Sequence, residues 1–263
     1  MKKKILLIAS LVIILAMLAI GGSLVWFTDN DEATNVFTIG SVEIDQIEQQ
    51  YKVDANGDKT AELEDFVQNK VLLPIVNVTD PSVDPNYQDK IVTVKSLGNN
   101  PAYVSTHIAI PTVLKDILVL DLNAGTGMKW EPAVSYTNTT TVNGESYTVY
   151  SFVYTEALDA DDATALAQTT DPLLKGVYLK PEVDCQEAVD ANGDPILDAN
   201  GKPVKQFCTK DATTGEWVFY DFDVTGPVNV LVATQGCQSQ GFSDAHTAIQ
   251  TAFGAIPNFT VTP

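Results

Sequence analysis

Two histidines are the side chains that could most readily serve catalysis, and their sequence context decides what they could do. A zinc protease places two histidine ligands one helical turn apart, in an H-E-x-x-H motif whose glutamate acts as general base. His246 begins the stretch HTAIQ, which supplies neither a second histidine nor a glutamate, and His107 lies far away in the sequence. No G-x-S-x-G elbow, P-loop or G-x-G-x-x-G motif occurs either. We therefore predict that the protein is not an enzyme and that both histidines are structural or surface residues.

A D-A-N-G pattern occurs three times, at 53–58, 189–194 and 197–202. The first copy places Asp54, Asn56 and Asp58 at positions 1, 3 and 5 of a calcium-binding loop, but that loop needs glycine at position 6, where a lysine stands. Asn-Gly is also the commonest signal for a tight hairpin turn. The pattern predicts three surface turns, with a weak calcium site at the first copy as the alternative. No other cofactor is expected.

Three cysteines cannot all pair within one chain. Cys185 and Cys208 flank a turn-rich segment that could form a hairpin closed at its base, so we predict a disulfide between these two. Cys237 is then left over as a buried thiol or as a link between chains.

The first residues have the pattern of a secretory signal peptide. Lys2 to Lys4 form a charged start, an apolar run covers 5–20, and small residues follow. The pattern predicts a signal peptide over 1–25, cleaved after Ser23 or Val25. The alternative is an anchor that stays in the membrane, because the apolar run continued to residue 27 is long enough to span a bilayer.

The charge balance limits the partners. The chain has 34 acidic and 15 basic residues, a net charge of −19 and no arginine. Nucleic acid and anionic membrane surfaces are bound through clustered Lys and Arg, so neither is an expected partner. We predict a soluble, exposed protein that touches a membrane only through its N-terminal segment.

Most of the chain alternates apolar and polar residues with the period of two that is typical of β-strands. Turn clusters such as GNNP, NAGTG and TGP separate these runs, and no β-α-β rhythm is present. The pattern predicts an all-β, antiparallel, jelly-roll-like sandwich occupying one domain over 26–263. The predicted strands are 34–47, 91–96, 102–110, 116–122, 147–155, 176–180, 216–224 and 228–236.

Two segments have helical character. A short helix is predicted over 63–72, and a C-terminal helix over 242–256 with Ser243 as its cap and Gly254 near its end. The apolar face predicted for the second helix consists of Ala245, Ile249, Ala252 and Phe253.

The segment just after the leader is unusually well patterned. Its apolar residues alternate up to Ile39 and then change face before Val42 and Ile44. The change of parity predicts a bulge or hinge at Gly40 and Ser41.

This segment resembles the mature start of the TasA/camelysin family, exported bacterial proteins released by a dedicated signal peptidase of the SipW type. The matching residues are Gly21, Gly22, Phe27, Asp29, Asn35, Phe37, Gly40, Val42 and Ile44. Further similarity lies in 89–111, 173–181 and 229–254, and together these blocks cover about a third of the chain. The three cysteines depart from the family pattern.

The resemblance implies a jelly-roll subunit of extracellular fibres, in the biofilm matrix or on the cell surface, that assembles by donor-strand exchange. In that scheme, residues 26–40 of one copy add as a strand to the next, and the polymerisation strand includes Phe27, Val36, Phe37 and Ile39. The expected partners are further copies of the chain, the signal peptidase and other matrix proteins. The alternatives are a cell-surface metalloendopeptidase, an activity associated with the camelysin branch, and a membrane-anchored adhesive module.

Overall fold

The computed structural model describes residues 28–30, 41–68, 70–133, 136, 138–160, 166–190, 192–224 and 227–260. Its elements are β1 (Thr28–Asn30), β2 (Ile44–Val53), β3 (Lys59–Asp65), β4 (Gln88–Ser96), β5 (Ala102–Pro111), β6 (Leu118–Leu122), β7 (Trp130–Pro132), β8 (Thr139–Val142), β9 (Glu145–Tyr154), β10 (Leu174–Leu179), β11 (Asp184–Glu187), β12 (Lys205–Lys210), β13 (Trp217–Asp223), β14 (Leu231–Gln238) and α1 (Ala245–Ala252). Among the described residues, no helix is long and apolar enough to cross a membrane.

Two antiparallel sheets form a sandwich, as the alternating pattern predicted. The first sheet has the order β1-β14-β5-β9-β7, with β8 also paired to β9, and the second has the order β3-β2-β4-β10-β6. A third, smaller sheet has the order β11-β12-β13. The prediction of an all-β sandwich with a C-terminal helix is confirmed.

The core lies between the two large sheets because successive side chains of a strand point to opposite faces. Val104 and Ile108 of β5 are fully buried, and they share one apolar cluster with Val92 and Val94 of β4. Burying a side chain of this kind contributes about 1.5–3 kcal/mol. The cluster therefore holds the two sheets face to face.

The outer face of the first sheet is covered by α1. Ala248 and Ile249 of this helix are fully buried and cluster with Val153 and Cys237 of the sheet. The helix spans Ala245–Ala252 and is therefore shorter at both ends than the predicted 242–256. Asp244 rather than Ser243 is the cap and accepts a hydrogen bond of 2.8 Å from the backbone N–H of Thr247.

The predicted helix over 63–72 is wrong. Lys59–Asp65 forms β3, which returns along β2 and places Leu63 opposite Tyr51. The turn at 54–58 brings this segment beside an available strand, and pairing with that strand outweighs a weak helical preference.

Candidate functional site

The free side of β14 is where the structure leaves a strand open to addition. β5 pairs with the whole of β14 on one side, from Leu231 opposite Ala109 onward. On the other side, within the described residues, β1 pairs with three residues, with Thr28 opposite Cys237 and Asn30 opposite Gln235. Within the described part of the chain, no strand pairs with Leu231–Thr234 on that side. Unpaired N–H and C=O groups of an edge strand are a template for another strand.

A groove with a volume of about 780 Å³ opens beside this edge, between the two large sheets. One part of its lining comes from the stretch 227–232, which leads into β14. The apolar lining residues include Val71, Val177, Phe207, Val228 and Val230, and the polar ones include Gln46, Gln68, Lys70 and Gln88. A groove with both apolar and polar side chains alongside an open strand edge is suited to an extended segment that offers backbone groups and alternating side chains.

An ion pair between a buried lysine and a half-buried glutamate forms one wall of the groove. The Lys90 ammonium contacts the Glu48 carboxylate, and the Lys90 Nζ lies 4.2 Å from the centre of the Phe66 ring. Gln46 donates to the other oxygen of Glu48 at 3.0 Å and accepts from the Thr234 hydroxyl at 2.8 Å. The chain of bonds ties the groove wall on β2 to the open strand β14, so the two should keep a fixed geometry.

A second lysine lines the groove without such a partner. Lys70 makes no ion pair within the described residues, and its Nζ lies 5.4 Å from the centre of the Phe66 ring. Burial lowers the pKa of Lys70, with Asp89 acting in the opposite direction. The groove therefore has a cationic group at its wall as well as apolar side chains.

The chain is held firmly where the sandwich begins. The Ser41 carbonyl accepts backbone hydrogen bonds from Asn99 at 3.0 Å and from Asn100 at 3.4 Å. A Cβ on Gly98 would lie 2.3 Å from the Ser41 carbonyl oxygen, so only glycine allows this approach. Of the two residues of the predicted hinge, Ser41 is held in place by these contacts. Gly40 lies outside the described residues.

The remaining residues of the predicted polymerisation and cleavage segments are also outside the described residues. They are Ser23, Val25, Phe27, Val36, Phe37 and Ile39.

His107 is buried among polar side chains to which its ring is hydrogen-bonded. It is fully buried, with Nδ1 2.8 Å from the Ser151 hydroxyl oxygen and Nε2 3.1 Å from Gln235 Oε1. The ring of Tyr136 stands edge-on to it at 5.2 Å. Burial lowers the pKa of His107 to about 4, against an opposing effect of the Gln235 hydrogen bond. At neutral pH the imidazole is therefore uncharged, with both ring nitrogens within hydrogen-bonding distance of polar side chains.

His246 is placed elsewhere, on α1, where its Nε2 lies 3.2 Å from a Glu131 carboxylate oxygen. The two histidines are therefore not assembled into one site. In the described part of the chain, no group of three or more His, Cys, Asp and Glu side chains could hold a metal ion.

All three cysteines are free thiols, so the predicted disulfide between Cys185 and Cys208 is wrong for this structure. The strand register explains why. Cys185 lies opposite Phe207, whereas Cys208 lies opposite Asp184, one position along. Neighbouring positions point to opposite faces of a sheet, which agrees with an exposed Cys185 and a buried Cys208.

The first D-A-N-G copy is a turn locked by its own aspartate. Asp54 Oδ1 accepts from the backbone N–H groups of Asn56 at 2.8 Å and Asp58 at 2.9 Å, and Gly57 has a φ of +89°. These two N–H groups, together with a hydrogen bond from the Asn56 side chain at 3.3 Å, hold the Asp54 carboxylate to its own loop. The predicted surface turn is present, and the arrangement gives no support to the calcium alternative.

The other two copies repeat this geometry at Asp190 and Asp198. Each aspartate accepts from the backbone N–H groups two and four residues later, at 2.8 and 3.0 Å in one copy and at 2.8 and 2.9 Å in the other.

The groove and its lysines are what sequence reasoning missed. The lining residues come from segments that are far apart in sequence, and the sequence pattern predicts a helix for the stretch containing Phe66 and Lys70. No local pattern identifies such a site.

No family model, curated protein or solved structure matches the chain.

Proposed function

We propose that the protein is an exported structural subunit of extracellular fibres, in the biofilm matrix or on the cell surface. Copies join when the segment after the leader of one chain adds as a strand to the β14 edge of the next. The observation that carries the proposal is the pairing of Thr28–Asn30 with this edge. This pairing supports the proposal because residues 28–30 belong to the segment expected to polymerise.

The length of the β14 edge also supports exchange between chains. β1 covers three residues of an eight-residue strand, so a longer strand from another copy would satisfy more backbone groups at the same edge. A subunit that gives its strand to one neighbour and accepts a strand from another makes a head-to-tail contact. When such a contact does not close into a ring, it produces a filament.

The test is imaging of the mature protein, together with a variant that lacks residues 24–38. Electron microscopy should show filaments for the mature protein and none for the deletion variant. The variant should remain a folded monomer, because the deletion removes three paired residues and leaves Ser41 and the sandwich core in place.

Circular dichroism and thermal unfolding of the deletion variant provide the folding control. Filaments formed normally by the deletion variant, or a mature protein that stays monomeric under all conditions tried, would overturn the proposal.

A further inference from the structure

The C-terminal tail returns to β14 after α1 has ended. Phe259 is buried in an apolar cluster that includes Leu231 and Ala233 of β14. Because side chains alternate along a strand, these two residues share a face with Cys237, which packs against α1. Phe259 is therefore anchored on the outer face of the first sheet.

From this anchor the tail reaches the open side of β14. A small cavity of about 80 Å³ is lined by residues 258–260, by residues 232–234 and by Gln46 of β2. Val232 packs against the core between the two large sheets, on the opposite face of β14 from Phe259. Thr260 also lines the groove between those sheets. Since the other edge of β14 is paired with β5, a tail that lies beside both faces of β14 must pass across its free edge.

The same edge is approached from the inner side by Gln46. Its Nε2 donates to the Val232 carbonyl oxygen at 3.4 Å, and its Oε1 accepts from the Thr234 hydroxyl at 2.8 Å. Proteins protect an open strand edge from unwanted pairing by covering it with a loop or a helix. The tail occupies such a position at residues 231–234, which lack a strand partner on that side within the described chain.

We propose that residues 258–260 form an edge cover, which must be released before a strand can add to β14. Its role rests on the proposed function and adds a control of the same β14 site. Among the described residues, no backbone hydrogen bond joins the edge cover to β14, and Asn258 and Thr260 are exposed. The hold therefore depends on the side chain of Phe259. A segment held in this way can open locally while the sandwich stays folded.

The test compares two truncations of the mature chain. Ending the chain after Pro257 removes the edge cover, whereas ending it after Thr260 keeps all three residues and is the matched control. Amide hydrogen exchange, read by mass spectrometry in a peptide spanning 231–234, should be at least severalfold faster in the first truncation and unchanged in the second. Filament growth, followed by light scattering, should also be severalfold faster in the first truncation alone.

Phe259→Ala tests the anchor in a mature chain of full length. It should reproduce the faster exchange and the faster growth, whereas Asn258→Ala, at an exposed neighbouring position, should behave as the wild type. Exchange in a peptide from β4, in the other sheet, should stay unchanged in both variants, which separates local release from a general loss of stability. Circular dichroism checks that each variant is folded.

Unchanged exchange at 231–234 after removal of the edge cover would overturn the proposal. Faster exchange with an unchanged rate of filament growth would overturn the control of strand addition and leave the fibre function standing. If neither the wild type nor any variant forms filaments, the fibre function fails and release before strand addition fails with it, whereas faster exchange would still show that the tail covers the edge.

Discussion

His107 should make the stability of the sandwich depend on pH. Burial lowers its pKa from 6.5 to about 4, so the unfolded chain takes up a proton at a higher pH than the folded protein does. The stabilisation is therefore complete above pH 6.5 and is lost as the pH falls towards about 4. The shift corresponds to a loss of about 3 kcal/mol in the free energy of unfolding. Urea unfolding at several pH values in this range measures it.

The control for this prediction is His107→Gln, which keeps a hydrogen-bonding side chain but does not titrate. Carboxylates titrate in both proteins, so the difference between the two pH profiles isolates the imidazole. If the free energy of unfolding changes equally with pH in the wild type and the variant between pH 6.5 and about 4, burial of a neutral His107 does not cause the loss of stability in acid.

Alkylation of the native protein should be confined to the Cys185 thiol. This side chain is exposed, whereas Cys208 and Cys237 are fully buried. Burial raises the pKa of Cys237 to about 12, and the thiolate is the reactive form of cysteine. Iodoacetamide should therefore label Cys185 in the native protein and all three cysteines after unfolding, with peptide mass spectrometry as the readout.

Cys185→Ser provides the control and should remove the native labelling. A peptide containing Cys185 and Cys208 joined by a disulfide would contradict the free thiols of the structure.

At the scale of the elements, the junction between the N-terminal segment and the sandwich depends on Gly98. A Cβ at this position would lie 2.3 Å from the Ser41 oxygen and 2.7 Å from the Glu43 nitrogen, both of which are backbone atoms. Gly98→Ala must therefore move the start of β2 or the turn, and overpacking of this kind costs about 1–3 kcal/mol. Denaturant unfolding at neutral pH measures the loss.

Gly125→Ala is the matched control for Gly98→Ala. Its added Cβ would meet the flexible Met128 side chain at 3.2 Å and no backbone atom. We expect a change within about 0.5 kcal/mol, as is usual for surface substitutions. Equal effects of the two substitutions would show that the contact with Ser41 does not fix the junction.

Strands could be predicted from the sequence where a long alternating run had one buried face. The runs at 91–96 and 102–110 correspond to β4 and β5, which form the centre of the sandwich. The strand Lys59–Asp65 was missed because its burial alternates only weakly and it depends on its neighbour β2. Its assignment therefore required tertiary information that the local pattern does not contain.

The candidate site also contains residues that could be predicted from the sequence and features that could not. Val42 and Ile44 were predicted to lie in a strand just after the hinge, and both are buried in the core. The open side of Leu231–Thr234 could not be predicted, because the alternation of a strand does not tell which neighbours it has. The pairing of Cys185 with Cys208 was predicted wrongly because the turn-rich segment between them does not indicate the register of the two strands that carry them.

At the scale of the whole molecule, the acidity of the chain should control how fast copies meet. The net charge is −19, and three of the 15 basic residues, Lys2 to Lys4, lie in the segment expected to be removed. Mature copies would therefore repel one another more strongly than this value indicates. Strand addition at the β14 edge is made through backbone hydrogen bonds rather than ion pairs, so salt should weaken the repulsion more than the contact.

Assembly of mature protein should therefore accelerate with ionic strength. The Debye length falls from about 30 Å at 0.01 M salt to about 8 Å at 0.15 M, which screens charges on approaching subunits. We expect a severalfold rise in the initial rate of filament growth over this range, measured by light scattering and checked by electron microscopy. A rate that is unchanged or falls would show that charge repulsion does not limit assembly.

Calcium chloride at matched ionic strength separates charge screening from calcium binding. A growth rate equal to that in sodium chloride indicates screening alone. A further acceleration that is abolished by Asp54→Ala would support the calcium site at the first D-A-N-G turn.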